Sequence, residues 1–243
     1  MTVAVIVQAR MGSTRLPGKV LKTVLGIPLL QIQLQRLQRI HNADCIVVAT
    51  TTEVADEPIL ALCQALQIPC WRGSQDDVLS RYAGAARSVL ADVVVRVTSD
   101  CPLIDPDISA SVIHRFALGD ADYVSNSLSP TYPRGLDTEV FSAASLYQAD
   151  QLARLPFERE HVTPFLYRHP ERFRLAEVRC ERDLSEYRWT VDTPEDFELI
   201  RRMLEALAPD WRDFRLDDCL ALMALHPDWP ALNAHIEQKK LGQ

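Results

Sequence analysis

The opening nineteen residues constrain the fold most. An apolar run, Val3-Ala4-Val5-Ile6-Val7, reads as a buried strand, and it ends in Gln8-Ala9-Arg10-Met11-Gly12-Ser13-Thr14-Arg15-Leu16-Pro17-Gly18-Lys19. The strand therefore delivers a loop of glycines and small hydroxyls bracketed by fixed cations. Such a loop suits polyphosphate: glycines let backbone N–H groups approach an anion, and Arg10, Arg15 and Lys19 supply charge and donors for phosphate oxygens. The bland alternative is a surface turn that happens to be basic. It fits poorly with a chain of net charge −7 that concentrates cations where its first strand ends.

The loop is not a P-loop. That motif needs G-x-x-x-x-G-K followed by Ser or Thr, whereas here one residue too many separates Gly12 from Gly18 and Val20 stands where the hydroxyl belongs. A G-x-G-x-x-G dinucleotide fingerprint is absent as well.

A length of 243 residues suits one large α/β domain or a domain with a small appendage. Hydrophobic residues make up 47%, enough for a sizeable core, yet no apolar run approaches the roughly 20 residues of a membrane span. The first residues enter a strand directly, with neither a signal core nor a cleavage site, so a cytoplasmic protein is expected. Cys45, Cys63, Cys70, Cys101, Cys180 and Cys219 form no C-x-x-C pair, which predicts reduced core thiols in place of a zinc or dithiol site. The acidic balance argues against a general nucleic-acid binder.

Apolar runs alternate with amphipathic stretches, the pattern of a mostly parallel sheet flanked by helices. Strands are expected at 3–7, 45–50, 68–71, 93–97 and 123–125. Helices are expected at 29–40, 57–66, from an Asp76 or Asp77 cap to near 90, and at 107–118. Regularity weakens over 128–183, which contains helical stretches at 143–152 and 159–168 and a strand at 173–178. That segment reads as an inserted lobe or an oligomerisation arm. A strand at 187–192 then precedes a helix capped by Thr193 and running to about 207. The tail, 208–243, carries a short helix near 219–225 and a solvated end at Lys239-Lys240.

In open α/β sheets, ligands sit beyond the carboxyl ends of the strands. Three features fall at such ends: the basic loop, Asp100 and Asp192. If they converge, they are the parts of a magnesium-dependent reaction at a nucleoside triphosphate, because magnesium bridges carboxylate to phosphate. Taken singly, Asp100 could merely start a turn before Cys101-Pro102, and Asp192 could merely neighbour the Thr193 cap.

These residues also carry a family resemblance. The stretch from Gln8 to Leu21 resembles the first motif of the cytidylyltransferases that activate acidic sugars, such as the 3-deoxy-manno-octulosonate and acylneuraminate enzymes. Asp100-Cys101-Pro102-Leu103-Ile104 resembles their second motif and Val191-Asp192-Thr193-Pro194-Glu195-Asp196 their late one. The nearest branch is that of spore coat polysaccharide biosynthesis protein F, which shares stretches like Asp76-Asp77-Val78-Leu79-Ser80-Arg81-Tyr82, Gly135-Leu136-Asp137-Thr138-Glu139-Val140-Phe141 and Glu160-His161-Val162-Thr163-Pro164. The likeness covers roughly residues 1 to 205.

The resemblance implies one nucleotidyltransferase domain with a Rossmann-like nucleotide-diphosphosugar transferase fold and a small dimerisation lobe, working as a homodimer. It implies attack of a sugar hydroxyl on the α-phosphorus of CTP, giving a CMP-sugar for a surface or coat polysaccharide. Carried over by position, Arg10 and Lys19 bind the triphosphate, assisted by Ala9, Met11, Gly12, Ser13, Thr14 and Arg15, while Asp100 and Asp192 hold magnesium. Arg10, Lys19, Asp100 and Asp192 are thus the expected catalytic set. Thr98 stands where the acidic-sugar enzymes often carry a base-reading Gln, and Arg72 is either a base-proximal Arg or a surface salt bridge. Arg134, Asp137, Glu139 and His161 are candidates for gripping the sugar; ion pairing for the loop residues and a structural role for His161 are the alternatives. Two other functions stay open: a glycosyltransferase using a ready-made nucleotide-sugar, and a non-catalytic nucleotide-binding subunit.

Overall fold

The computed structural model describes residues 1–209 and 211–237; the Lys239-Lys240 end lies outside the described residues. Seven strands form one sheet: β1 (Val3–Gln8), β4 (Cys45–Thr51), β5 (Cys70–Gly73), β6 (Val93–Thr98), β7 (Tyr123–Ser125), β8 (Glu139–Ser142) and β9 (Leu175–Glu177). Their order is β5-β4-β1-β6-β8-β7-β9, and β8 runs antiparallel to both neighbours while every other pairing is parallel. Two short strands, β2 (Thr23–Val24) and β3 (Ile27–Pro28), make a separate hairpin.

The apolar run of β1 is central, and its side chains alternate between two cores as the pleat requires. Val3, Val5 and Val7 pack with α1 (Leu29–Leu37), α2 (Glu57–Ala65) and α4 (Pro106–Ala117). Ala4 and Ile6 pack on the opposite face with α3 (Val78–Ser88), α5 (Ala143–Leu152) and residues around α6 (Pro156–His161) and α7 (Pro164–Tyr167). Helix starts follow the expected chemistry: Asp77 caps α3 through the Ser80 N–H at 3.0 Å, and Thr193 caps α8 (Pro194–Ala206) in a reciprocal box with Asp196.

Four expectations need correction. The strand β8 was not anticipated, although it joins β6 to β7. The helix expected over 159–168 is two short helices, broken where Val162 takes φ 72°. The strand expected at 173–178 spans only Leu175–Glu177. Residues 187–192 are extended but join no sheet; they make a single parallel bridge between Arg134 and Arg188.

The 128–183 segment contributes β8 and β9 to the main sheet, and its α5 and α6 lie against α3. The segment after 207 builds a third core, in which Trp211, Phe214, Cys219 and Met223, the last two from α9 (Leu216–Leu225), pack with Leu199, Ile200 and Met203 of α8. Arg36 ties that segment down. Its buried guanidinium donates to the carbonyls of Ile104 (2.9 Å), Trp211 (3.1 Å), Arg212 (3.3 Å) and Phe214 (3.0 Å). Among the described residues no helix is long and apolar enough to cross a membrane.

Candidate active site

The parallel pairing of β1, β4 and β6 brings their carboxyl ends to one edge, and the chain uses all three there. After β1, the Met11 carbonyl accepts from Ser13 N–H at 2.8 Å and Gly18 N–H at 3.1 Å, folding the loop into a closed turn. Gly18 sits at φ 67°, a conformation that costs a side chain but not glycine. The buried Asp56, just beyond β4, clamps the loop's start by accepting from Met11 N–H at 2.7 Å. Arg10, Gly12 and Thr14 are left exposed, and Lys19 points back under the loop.

Lys19 is where distant parts of the chain meet. Its ammonium lies 3.2 Å from Asp100 Oδ2, beyond β6, 2.8 Å from Asp192 Oδ1, and 2.7 Å from the Val191 carbonyl. Asp192 is further paired with Arg15 at 3.0 Å and Arg188 at 2.8 Å. The late segment is docked on the Asp100 backbone: Val191 N–H and Thr190 Oγ1 donate to the Asp100 carbonyl at 2.8 and 3.1 Å. Burial, the largest single influence on Lys19, lowers its pKa, but the charges and hydrogen bonds of the two carboxylates outweigh it and leave it above its usual value. Burial likewise pushes Asp100 up, and Lys19 with the Thr98 hydroxyl outweighs it, holding the carboxyl at about 2. Lys19 and Asp100 are therefore both charged at neutral pH.

A cleft of about 330 Å³ opens over this edge. It is lined by Ala9, Arg10, Gly12, Ser13, Thr14, Arg15, Lys19, Thr98, Asp100, His161 and Asp192, so most of the residues singled out in the sequence share one cavity. Met11 is not among the lining residues: its side chain packs against the core, and its backbone groups hold the loop turn. Burial lowers the His161 pKa, which favours the neutral imidazole. Two carboxylates that converge on one cation, with only oxygen donors, are a set that magnesium accepts when phosphates complete its shell. Among the described residues no cluster of three His, Cys, Asp or Glu forms a self-sufficient metal cage.

Other candidates lie outside the cleft. Arg72 donates to the Thr51 carbonyl (2.9 Å), the Glu53 carbonyl (3.1 Å) and Glu57 (2.6 Å). Glu139 is buried, held by Arg96 and the Tyr123 hydroxyl. Arg134 and Asp137 line a neighbouring cavity of about 270 Å³ that also reaches Tyr132, Tyr187 and Arg188. Burial raises the Asp137 pKa against the opposing charge of Arg134.

Residues missed in the sequence include Gln8, Ser99, Glu160 and Arg81, all lining the cleft. Arg81 is the most telling. Only 2% exposed, it donates to the Ser74 carbonyl at 2.6 Å, and its buried Nε makes no hydrogen bond among the described residues. Its one signal was the Asp76-to-Tyr82 stretch, which reads first as an ordinary amphipathic helix.

Residues 4–218 match the family model described as cytidylyltransferase. The chain is 32% identical over 232 residues to the spore coat polysaccharide biosynthesis protein SpsF of Bacillus subtilis (strain 168), covering 92% of this chain and 94% of that protein. Among solved structures, a cytidylyltransferase from Leptospira borgpetersenii serovar Hardjo-bovis superposes with a TM-score of 0.90 and 33% identity, covering 99% of this chain and 100% of that one. A CMP:2-keto-3-deoxy-manno-octonic acid synthetase complexed with CTP superposes with a TM-score of 0.65, covering 85% of this chain and 99% of that one; at 19% identity it shows a shared fold.

Proposed function

The chain belongs to the cytidylyltransferase family, and from that premise we propose that it transfers CMP from CTP to a sugar hydroxyl in the synthesis of a surface polysaccharide. The new bond joins the hydroxyl oxygen to the α-phosphorus, the bond to the bridging oxygen of the β-phosphate breaks, pyrophosphate leaves, and the hydroxyl proton passes to solvent. The observation that carries this reading is the meeting of Lys19 with Asp100 and Asp192, which places a cationic loop and two carboxylates in one cleft.

In this reading Arg10, Arg15 and Lys19 bind the triphosphate together with the backbone from Gly12 to Thr14, and Arg81 adds positive charge to the cleft wall. Asp100 and Asp192 hold magnesium, which when bound neutralises charge at the α-phosphate and on the departing pyrophosphate. The protein's share is positioning: fixed donors aimed at the phosphates need no reorganisation as charge develops. Neutral His161 accepts a hydrogen bond from the acceptor, and the cavity at Arg134 and Asp137 holds the far end of the sugar.

The test is pyrophosphate release from CTP, magnesium and a panel of acidic and amino sugars. Acceptor-dependent release is expected with CTP, falling by about 100-fold or more in Asp100→Asn. Equal turnover in parent and variant, or reaction only with a preformed nucleotide-sugar, would contradict the proposal.

A further inference from the structure

The segment after α8 reaches the hydrogen-bond network behind Asp192 through Asn233. Asn233, only 2% exposed, follows the short 3-10 turn Trp229–Leu232. Its amide nitrogen donates to Asp196 Oδ1 at 2.8 Å and to the Arg188 carbonyl at 2.9 Å. Both partners can only accept, which fixes the amide with its nitrogen inward. Asp196 is wholly buried and also takes hydrogen bonds from Arg188 Nε (2.9 Å), Arg188 Nη2 (3.0 Å), and the N–H groups of Asp192 (2.9 Å) and Thr193 (3.1 Å). Arg188 in turn donates to Asp192 Oδ2 at 2.8 Å.

The chain of contacts thus runs from Asn233 to Asp196, and from there to Asp192 by two routes, its backbone N–H and the Arg188 guanidinium. We propose that Asn233 is a positioning residue, which fixes the Asp196–Arg188 pair and thereby the direction in which the Asp192 carboxylate faces the cleft. The inference rests on the reading of Asp192 as a metal-binding carboxylate.

The physical reason lies in the burial of Asp196. A carboxylate without access to water takes its orientation from its donors, and losing one shifts the balance among those remaining. Asp192 Oδ2 already meets both Arg15 and Arg188, while Oδ1 meets Lys19, so a small rotation of Arg188 changes which oxygen is open to a cation. The arm that brings Asn233 is itself fixed: Arg36 holds the carbonyls of Trp211, Arg212 and Phe214, and Asp105 accepts from Leu216 N–H at 2.8 Å.

Asn233→Asp keeps the side chain's size and removes both donated hydrogen bonds; Asn233→Ala does so without adding a buried charge. Manganese affinity in the presence of CTP is measured by electron paramagnetic resonance, metal-free CTP affinity by calorimetry, kcat by pyrophosphate release, and Tm as the control for folding. Both variants are expected to weaken manganese binding about tenfold, with kcat falling on the same scale, as for outer partners of metal ligands. Metal-free CTP binding, which rests on the loop cations, stays unchanged. The role of Asn233 is overturned if either folded variant keeps parental manganese affinity and kcat, or if metal-free CTP binding weakens equally, the mark of general loosening. A parent that binds no manganese with CTP sinks the reading of Asp192 and the role of Asn233 together; a parent that binds it with unaltered variants sinks only the latter.

Discussion

Lys19 does two jobs with one charge. It lines the cleft with positive charge, and its three N–H groups, donated to Asp100, Asp192 and the Val191 carbonyl, hold together two carboxylates that would otherwise repel each other. Lys19→Ala is therefore expected to weaken CTP binding by about 1.5–3 kcal/mol, the scale of a hydrogen bond to a charged group; unchanged affinity by calorimetry would remove Lys19 from the phosphate site. Lys19, Asp100 and Asp192 were legible in the sequence because each lies in or just after a short motif at the end of an apolar run. Arg72 was not separable from its surroundings by sequence, since the carbonyls of Thr51 and Glu53 that hold it come from a turn some twenty residues away. Glu139 lies on the unforeseen strand β8, opposite Arg96 in register, so its buried ion pair was equally invisible.

Between elements, the decisive contact is the turn around Gly135 against the extended residues 187–192. Arg134 N–H donates to the Tyr187 carbonyl at 2.9 Å and Trp189 N–H to the Arg134 carbonyl at 2.7 Å. Gly135 has φ 105°, and a Cβ there would come within 2.5 Å of the Trp189 carbonyl oxygen. Gly135→Ala combines backbone strain with a collision against main chain, so urea denaturation should show a loss of about 2–4 kcal/mol; parental stability would mean that the two segments part at little cost. The strands and helices around the first four parallel strands were readable because their apolar periods are long and clean. Strand β8 has four residues, and the 187–192 segment is extended without ladder partners; in both, tertiary pairing decides what local pattern cannot.

Across the whole molecule, a parallel sheet gathers residues from opposite ends of the chain at one edge. The first strand brings the cations, β6 brings Asp100, and Asp192 arrives on a segment tied to a C-terminal arm that packs as a third core. The sheet and the cleft followed from the alternation of apolar runs and from where ligands sit in such folds. The arm's short helix was readable too, but its docking was not, because its anchors are Arg36, which looks like a solvated helix residue, and main-chain carbonyls that leave no mark in sequence. That the cationic loop and the two acids form one site for a metal and CTP is the core of the proposed function. It is tested most directly by a crystal structure grown with manganese and CTP, using the anomalous signal of the metal. The expected peak lies within about 2.2 Å of carboxylate oxygens of Asp100 and Asp192, with the triphosphate along the loop from Gly12 to Lys19; a peak bound to neither acid, or nucleotide seated elsewhere, would contradict the account.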